Sequence, residues 1–125
     1  LYLEEIDLCK NIQKKFGKVY FANNLKVHHL GFKGSIGSSD LELRNAENLR
    51  NWHYMWSSFY FYKKNYSYFF ALSKMLGKFI RSLIKLFIYS LFFQENKRNK
   101  YLYRFLGIFS SMIGLRSSYR VKKFY

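Results

Sequence analysis

The chain has 125 residues, of which 22 are Lys or Arg and 7 are Asp or Glu, so its formal net charge is +15. Half of the residues are hydrophobic, 22% are aromatic and none is proline. This composition excludes a disordered basic tail, because such tails lack the apolar side chains whose burial offsets the entropy of ordering. The single cysteine, Cys9, excludes an intramolecular disulfide framework and favours a reducing compartment. We expect one folded or membrane-associated domain, or part of a longer protein, since residue 1 is Leu rather than Met.

The charge is distributed unevenly along the chain. Residues 1–50 hold eight basic and six acidic side chains, whereas residues 51–125 hold fourteen basic side chains and one acidic. This difference predicts two parts, an edge of a mixed α/β unit over 1–50 and a basic, aromatic, surface-binding part over 51–125. The polar stretch 33–40 is the predicted loop.

The first element is a predicted helix over residues 3–16, because apolar residues recur at three- and four-residue steps and Gly17 follows as a stop signal. Glu5 falls on the same side of this helix as the apolar residues. A carboxylate directed at apolar neighbours is costly unless it has a chemical role, such as that of a general base or a metal ligand. The alternative is that Glu5 lies in a frayed first turn and reaches water.

The second predicted unit is a strand, a turn and a strand. Residues 18–22 and 25–29 are rich in β-forming side chains, and Asn23 and Asn24 separate them. In an extended second run, His28 lies on the face opposite Leu25 and Val27 and is free to enter a cleft. A metal-ligand role for His28 is one interpretation, although the adjacent His29 points away and would not share the same ion.

An ordered series of residues in this region resembles a known pattern. The series is Glu4-Glu5-Ile6-Asp7-Leu8-Cys9, then Phe16-Gly17, then Val19-Tyr20, then Val27-His28-His29. It resembles the C-terminal end of the catalytic domain of family 2 glycosyltransferases, in particular the bacterial rhamnosyltransferase-like branch. The resemblance covers residues 1–35, and the stretches 52–64 and 118–120 are similar to the tail of that branch.

The resemblance implies an α/β fold, with residues 1–50 as the C-terminal fragment of a GT-A (nucleotide-diphospho-sugar transferase) domain and residues 51–125 as basic amphipathic helices, so that this chain is mostly α. It implies that Glu5 is the general base, beside Glu4 and Asp7, and that His28 helps to hold a divalent cation, Mg or Mn. The implied reaction is inverting transfer of a sugar from a nucleotide-sugar donor to a cell-surface polysaccharide or lipid-linked glycan acceptor.

Two residues depart from the family pattern, since the base is more often Asp than Glu and Ala22 stands where Pro is usual. The donor-binding half with its Asp-x-Asp motif is also missing. We therefore expect this fragment alone to be inactive.

The second half contains a predicted basic amphipathic helix over residues 69–93. Its basic residues are Lys74, Lys78, Arg81 and Lys85, and the opposite side carries Leu72, Leu76, Phe79, Leu83, Leu86 and Phe87. Such a helix suits the surface of an anionic membrane, whereas a membrane span needs ~20 consecutive apolar residues, which four charges interrupt. The alternative is a packing helix whose basic stripe is merely solvated.

The segments on either side of this helix also favour binding at the surface of an anionic membrane. Residues 51–70 hold eleven aromatic residues, which prefer the headgroup level, residues 101–115 suit a second interfacial or docking helix, and residues 116–125 add four basic side chains. These features predict a cytoplasmic protein, peripheral on the inner face of the plasma membrane.

Two other functions compete with the glycosyltransferase. A small basic membrane-interface protein without catalysis explains the second half of the chain. A nucleic-acid-binding protein explains the charge and the interleaved aromatics. A continuous Leu/Ile/Phe face is not typical of nucleic-acid surfaces, so we expect no nucleic-acid partner.

Overall fold

The computed structural model describes residues 2–20, 22–28, 39–117 and 119. They contain four helices: α1 over Glu4–Phe16, α2 over Asp40–Asn65, α3 over Tyr68–Leu91 and α4 over Glu95–Met112. Helices α2 and α4 pack against each other and run in the same direction. Helix α3 contacts both and runs antiparallel to them. Together these three helices form a bundle, and α1 lies against the C-terminal half of α2.

The predicted α/β fold is wrong for the described chain, because residues 18–20 and 22–28 form no strand. One hydrogen bond, from the amide of Leu25 to the carbonyl of Ala22, marks a turn at the two asparagines. Val19 and Val27 are exposed on either side of it. An isolated pair of strands is marginal in water, since it needs further strands or a helix to cover one face. The described residues provide no such cover, so the β-forming composition of this segment does not produce a sheet.

The helix predicted over residues 3–16 is confirmed as α1. Its first turn is acidic and its last turn is basic, an arrangement that complements the helix dipole. The backbone of Gly17 has a φ of 98°, a conformation that glycine adopts at low cost, and its amide donates to the carbonyl of Gln13 to end the helix.

Helix α2 begins with a capping box. The side chain of Ser39 accepts from the amide of Glu42, and the Glu42 carboxylate accepts from the amide of Ser39. Of the predicted loop over 33–40, residues 33–38 lie outside the described residues and Asp40 is already helical. The domain boundary predicted between residues 50 and 51 falls inside this single helix.

Helix α3 confirms the helix predicted over 69–93, and the side chain of Ser67 caps its first turn. A short turn that includes Phe92 and Phe93 connects it to α4, which begins inside the polar stretch 94–100. Within the described ranges, no helix is long and apolar enough to cross a membrane.

The core lies where α2, α3 and α4 meet. Its buried side chains are Met55, Phe59, Ala71, Met75 and Ile108, and Tyr62, Phe79 and Met112 pack against them. Trp52 is the sixth buried apolar side chain among the described residues, so much apolar surface stays outside the core.

Candidate functional site

The three acidic residues predicted as catalytic lie in the first turn of α1, but they have different surroundings. Glu4 and Glu5 are exposed, whereas Asp7 is half-buried against the C-terminal end of α2. The exposure of Glu5 agrees with the alternative in which this carboxylate reaches water. The side of α1 that faces α2 is therefore the side of Asp7.

Asp7 connects α1 to α2. Its carboxylate forms an ion pair with Lys64 and accepts a hydrogen bond from the Asn65 amide at 2.8 Å. The hydrogen bond from Lys64, followed by that from Asn65, lowers the pKa of Asp7, and the same contact with Asp7 raises the pKa of Lys64. Lys10 lies 3.5 Å from the centre of the Tyr66 ring and adds a cation–π contact to the junction. These contacts give Asp7 a structural role.

The predicted metal site has no donor set within the described ranges. His28 is exposed, His29 lies outside the described residues, and no group of three His, Cys, Asp or Glu side chains among the described residues is arranged to hold a metal ion. A divalent cation needs several oxygen or nitrogen ligands at once, so His28 alone does not fit one. Binding of Mg or Mn stays a prediction for the intact enzyme that the resemblance implies.

The predicted basic stripe of α3, which consists of Lys74, Lys78, Arg81 and Lys85, is partly in contact with tyrosine side chains of α2 and α4. Lys85 donates to the Tyr101 hydroxyl of α4 at 3.0 Å. The Lys78 ammonium lies 6.0 Å from the centre of the Tyr54 ring of α2. Lys74 and Arg81 are exposed on the same side of the helix. The stripe is thus partly engaged by α2 and α4.

The bundle divides the predicted apolar side of α3 into two parts. Leu72, Phe79 and Leu86 are half-buried toward the core. Leu76, Leu83 and Phe87 remain exposed. Together with four exposed residues that were not part of the prediction they form what we call the outer face: Leu76, Ile80, Leu83, Ile84, Phe87, Ile88 and Leu91. At about 100° per residue, the outer face and the basic stripe lie on different sides of α3.

The outer face continues into the turn after α3. Phe92 and Phe93 are 69% and 87% exposed, and we call this pair the aromatic tip. Phe93 has a φ of 52°, a conformation that costs roughly 1 kcal/mol or more for a bulky residue. Lys97 and Arg98 follow in the first turn of α4. An apolar ridge therefore ends in two exposed rings beside basic side chains.

A cleft on the other side of α2 was not predicted from the sequence. It is lined by Tyr2, Glu47, Arg50, Asn51, Tyr54 and Arg104 and has a volume of about 330 Å³. We call it the cationic cleft. The Arg104 guanidinium donates to the Asn51 side chain at 2.8 Å, and the rings of Tyr2 and Tyr54 meet edge to face. Because its residues come from α2, from α4 and from Tyr2, which precedes α1, no spacing in the sequence marks it.

The buried side chain of His53 is a second feature that was not predicted from the sequence. It is 1% exposed, and its two ring nitrogens lie 2.9 Å from the Ser117 hydroxyl and 3.1 Å from the Tyr119 carbonyl. Trp52 packs on both His53 and the Tyr119 ring. Burial, followed by hydrogen bonding with Tyr103, raises the pKa of Tyr119. This arrangement fixes the segment after α4 to α2, which is a structural role.

Comparison with known proteins adds no relative: no family model, no curated protein and no solved structure matches this chain. The arguments for function therefore rest on the geometry of the chain itself.

Proposed function

We propose that this protein binds the surface of anionic membranes through the outer face of α3 and the aromatic tip. The observation that carries this proposal is the exposure of a continuous row of Leu, Ile and Phe side chains along one side of a 24-residue helix. Extended apolar patches are uncommon on protein surfaces and mark interaction sites.

Apolar burial supplies the first part of the affinity. A Phe side chain moved fully out of water contributes roughly 1.5–3 kcal/mol, so Phe87, Phe92 and Phe93 carry much of it. A helix that lies in the plane of the interface buries its apolar side at the acyl boundary and does not need to span the bilayer. This agrees with the finding that no described helix is suited to cross a membrane.

Charge supplies the second part. Residues 51–125 contain fourteen basic side chains and one acidic, and basic residues near an anionic surface contribute roughly 1 kcal/mol each. In the proposed orientation Lys97 and Arg98 lie nearest the headgroups beside the aromatic tip. The basic stripe faces another side and acts through the long-range field, which salt screens over about 8–10 Å. The anionic leaflet and the single cysteine favour the cytoplasmic face of the membrane.

A flotation assay tests the proposal with vesicles of phosphatidylcholine, alone or mixed with phosphatidylserine. We expect binding to the mixed vesicles only, and weaker binding as salt rises. Removing two of the rings, in the Phe87→Ser/Phe93→Ser variant, should lower binding at least tenfold, since each ring contributes more than 1.4 kcal/mol. Phe16→Ser is the matched control, because Phe16 of α1 is 82% exposed and lies away from the outer face.

Two results would overturn the proposal. One is equal loss of binding in the double variant and in Phe16→Ser, which would show that the outer face has no special part. The other is salt-sensitive retention by DNA or RNA with no binding to either vesicle, which would favour the nucleic-acid alternative.

The glycosyltransferase activity implied by the resemblance stays a prediction. The described residues give its catalytic assignments no support, because Glu5 is exposed and the sheet of the expected fold is absent from them. Its test is sugar transfer by the intact enzyme: Glu5→Gln should abolish transfer and leave donor binding in place, and near-normal turnover would remove Glu5 from the role of base.

A further inference from the structure

A recess lies where the C-terminal third of α2 meets the end of α4, and we call it the aromatic recess. Its volume is about 250 Å³, and its lining includes Trp56, Tyr60, Lys63, Ser111 and Leu115. The indole N–H of Trp56 donates to the Leu115 carbonyl at 2.9 Å. This bond joins the segment after α4 to α2, so the two sides of the recess are held together.

Two stacked rings form one wall of the recess. The centres of the Trp56 and Tyr60 rings are 4.9 Å apart, and their planes differ by 17°. The hydrogen bond of Trp56 to Leu115 fixes the direction of the first ring, and the second ring is 47% exposed. Aromatic rings attract further rings in stacked or edge-to-face contacts. This wall therefore suits a flat aromatic group.

A buried polar group without a partner lies in the same recess. Ser111 is 3% exposed, and its hydroxyl makes no hydrogen bond to any described residue. The hydroxyls of Ser58 and Ser82, which are buried to a similar extent, donate to the carbonyl four positions earlier at 2.7 Å. An unpaired buried hydroxyl is unfavourable and uncommon. Because Ser111 lines the recess, an acceptor atom of a ligand there would supply the missing partner.

Positive charge borders the recess. The Lys63 side chain lines it and is exposed, and its ammonium lies 5.8 Å from the centre of the Tyr68 ring. Lys63 forms no ion pair with a carboxylate of the described ranges, and none of the described residues that line the recess is acidic. An ammonium without a carboxylate beside it attracts an anion.

We propose that the aromatic recess binds a small aromatic anion, a planar ring that carries a carboxylate, sulfonate or phosphate. The ring packs on Trp56 and Tyr60, and the anionic group lies between the Lys63 ammonium and the Ser111 hydroxyl, which donates to it. The volume is below the roughly 300–1,000 Å³ of pockets for drug-sized ligands, so we expect one or two rings. The proposal goes beyond membrane binding and does not rest on it, since the outer face belongs to α3.

Calorimetric titration of the full chain at constant ionic strength tests the proposal with three probes. Naphthoate has a fused ring and a carboxylate, naphthamide has the same ring without the charge, and acetate has the charge without the ring. We expect saturable binding of naphthoate at one site and binding of the other two that is weaker by roughly tenfold or more, because each lacks one of the two contacts. Naphthoate binding that does not saturate, or that is no tighter than binding of naphthamide, would overturn the proposal.

Substitutions locate the site. Tyr60→Ser and Lys63→Gln should each weaken naphthoate binding by roughly tenfold, since they remove the ring contact and the charge. Lys74→Gln is the matched control for charge, because Lys74 is exposed and lies 5.5 Å from a ring centre, that of Phe70, but does not line the recess. The Phe87→Ser/Phe93→Ser variant controls for adsorption on the outer face and should bind naphthoate as the unmodified chain does. An equal loss in either control would overturn the proposal.

Ser111→Ala distinguishes a ligand-binding hydroxyl from a structural one. It should weaken naphthoate binding, whereas the free energy of unfolding without ligand, measured by urea denaturation, should not fall, because the hydroxyl has no bond to lose. Ser82→Ala, at an equally buried serine that does have a partner, should leave naphthoate binding unchanged. Unchanged naphthoate binding in Ser111→Ala, with a loss of stability, would overturn the proposal. Circular dichroism establishes that each variant is folded, and the exposed position of Lys63 makes Lys63→Gln the test if the others do not fold.

Discussion

Gly107 of α4 lies against the main chain of Trp52 in α2. A Cβ placed on Gly107 would be 2.3 Å from the carbonyl oxygen of Trp52 and 3.2 Å from the Cβ of Met55. The two parallel helices therefore approach so closely that only glycine fits at their contact. Ile108 and Phe59 are fully buried beside this contact, so the position of α4 and the closure of the core depend on the same residue.

Gly107→Ala should destabilise the protein, because the helices must separate to admit the methyl group. We expect a loss of about 1–3 kcal/mol in the free energy of unfolding, measured by urea denaturation. Gly77→Ala is the control, since Gly77 in α3 has nothing within 4 Å of the added Cβ. There alanine should stabilise by roughly 0.5–1 kcal/mol through helix propensity. Equal effects at both positions would contradict the close contact at Gly107.

His53→Ala should destabilise the protein by roughly 2–3 kcal/mol, because it removes a buried ring and leaves the two groups that meet its nitrogens without that partner. Ser117→Ala removes only one of these contacts, and its expected cost is about 1 kcal/mol. Thermal unfolding of the two variants and of the double variant measures both effects. The effects should not add, since the residues share one hydrogen bond; full additivity would argue against that bond.

The contact of Asp7 with Lys64 should make stability depend on pH at both ends of the range. The folded pKa of Asp7 lies below its usual value of 3.8, so its contribution is present above that pH and is lost as pH falls through the folded pKa. The folded pKa of Lys64 lies above 10.5, so its contribution is present below that pH and is lost as pH rises through the folded pKa.

The unfolding temperature of Asp7→Asn, compared with that of the unmodified chain, measures this dependence. The difference should be greatest near neutral pH and should shrink toward both extremes. Glu5→Gln is the matched control, because it removes a carboxylate from the same turn of α1 without touching α2. The same pH profile for both variants would mean that the helix dipole, and not Lys64, is responsible.

Ser39→Ala should cost about 1 kcal/mol of stability, because it removes the side-chain acceptor that caps α2. Ser73→Ala is a suitable comparison, since Ser73 lies inside α3 and is exposed, and alanine is favoured over serine within a helix. Urea denaturation should therefore show opposite signs for the two changes. An unchanged free energy of unfolding in Ser39→Ala would indicate that packing alone determines where α2 begins.

Prediction from the sequence succeeded where the signal was local. The apolar period and Gly17 gave α1 correctly, and the alternation of basic and apolar residues gave α3. It failed at residues 18–28, where β-forming side chains such as Val19 and Val27 predicted strands. Strands need partners distant in the chain, and composition alone does not show whether those partners exist.

The candidate sites show the same division. The basic stripe and the apolar side of α3 follow from the sequence, because the helical period assigns residues to faces. Only the tertiary structure decided which apolar residues enter the core and which form the outer face, since that depends on where α2 and α4 pack. Arg50 and Arg104 are 54 positions apart, and they line one cleft because α2 and α4 run parallel in contact at Gly107.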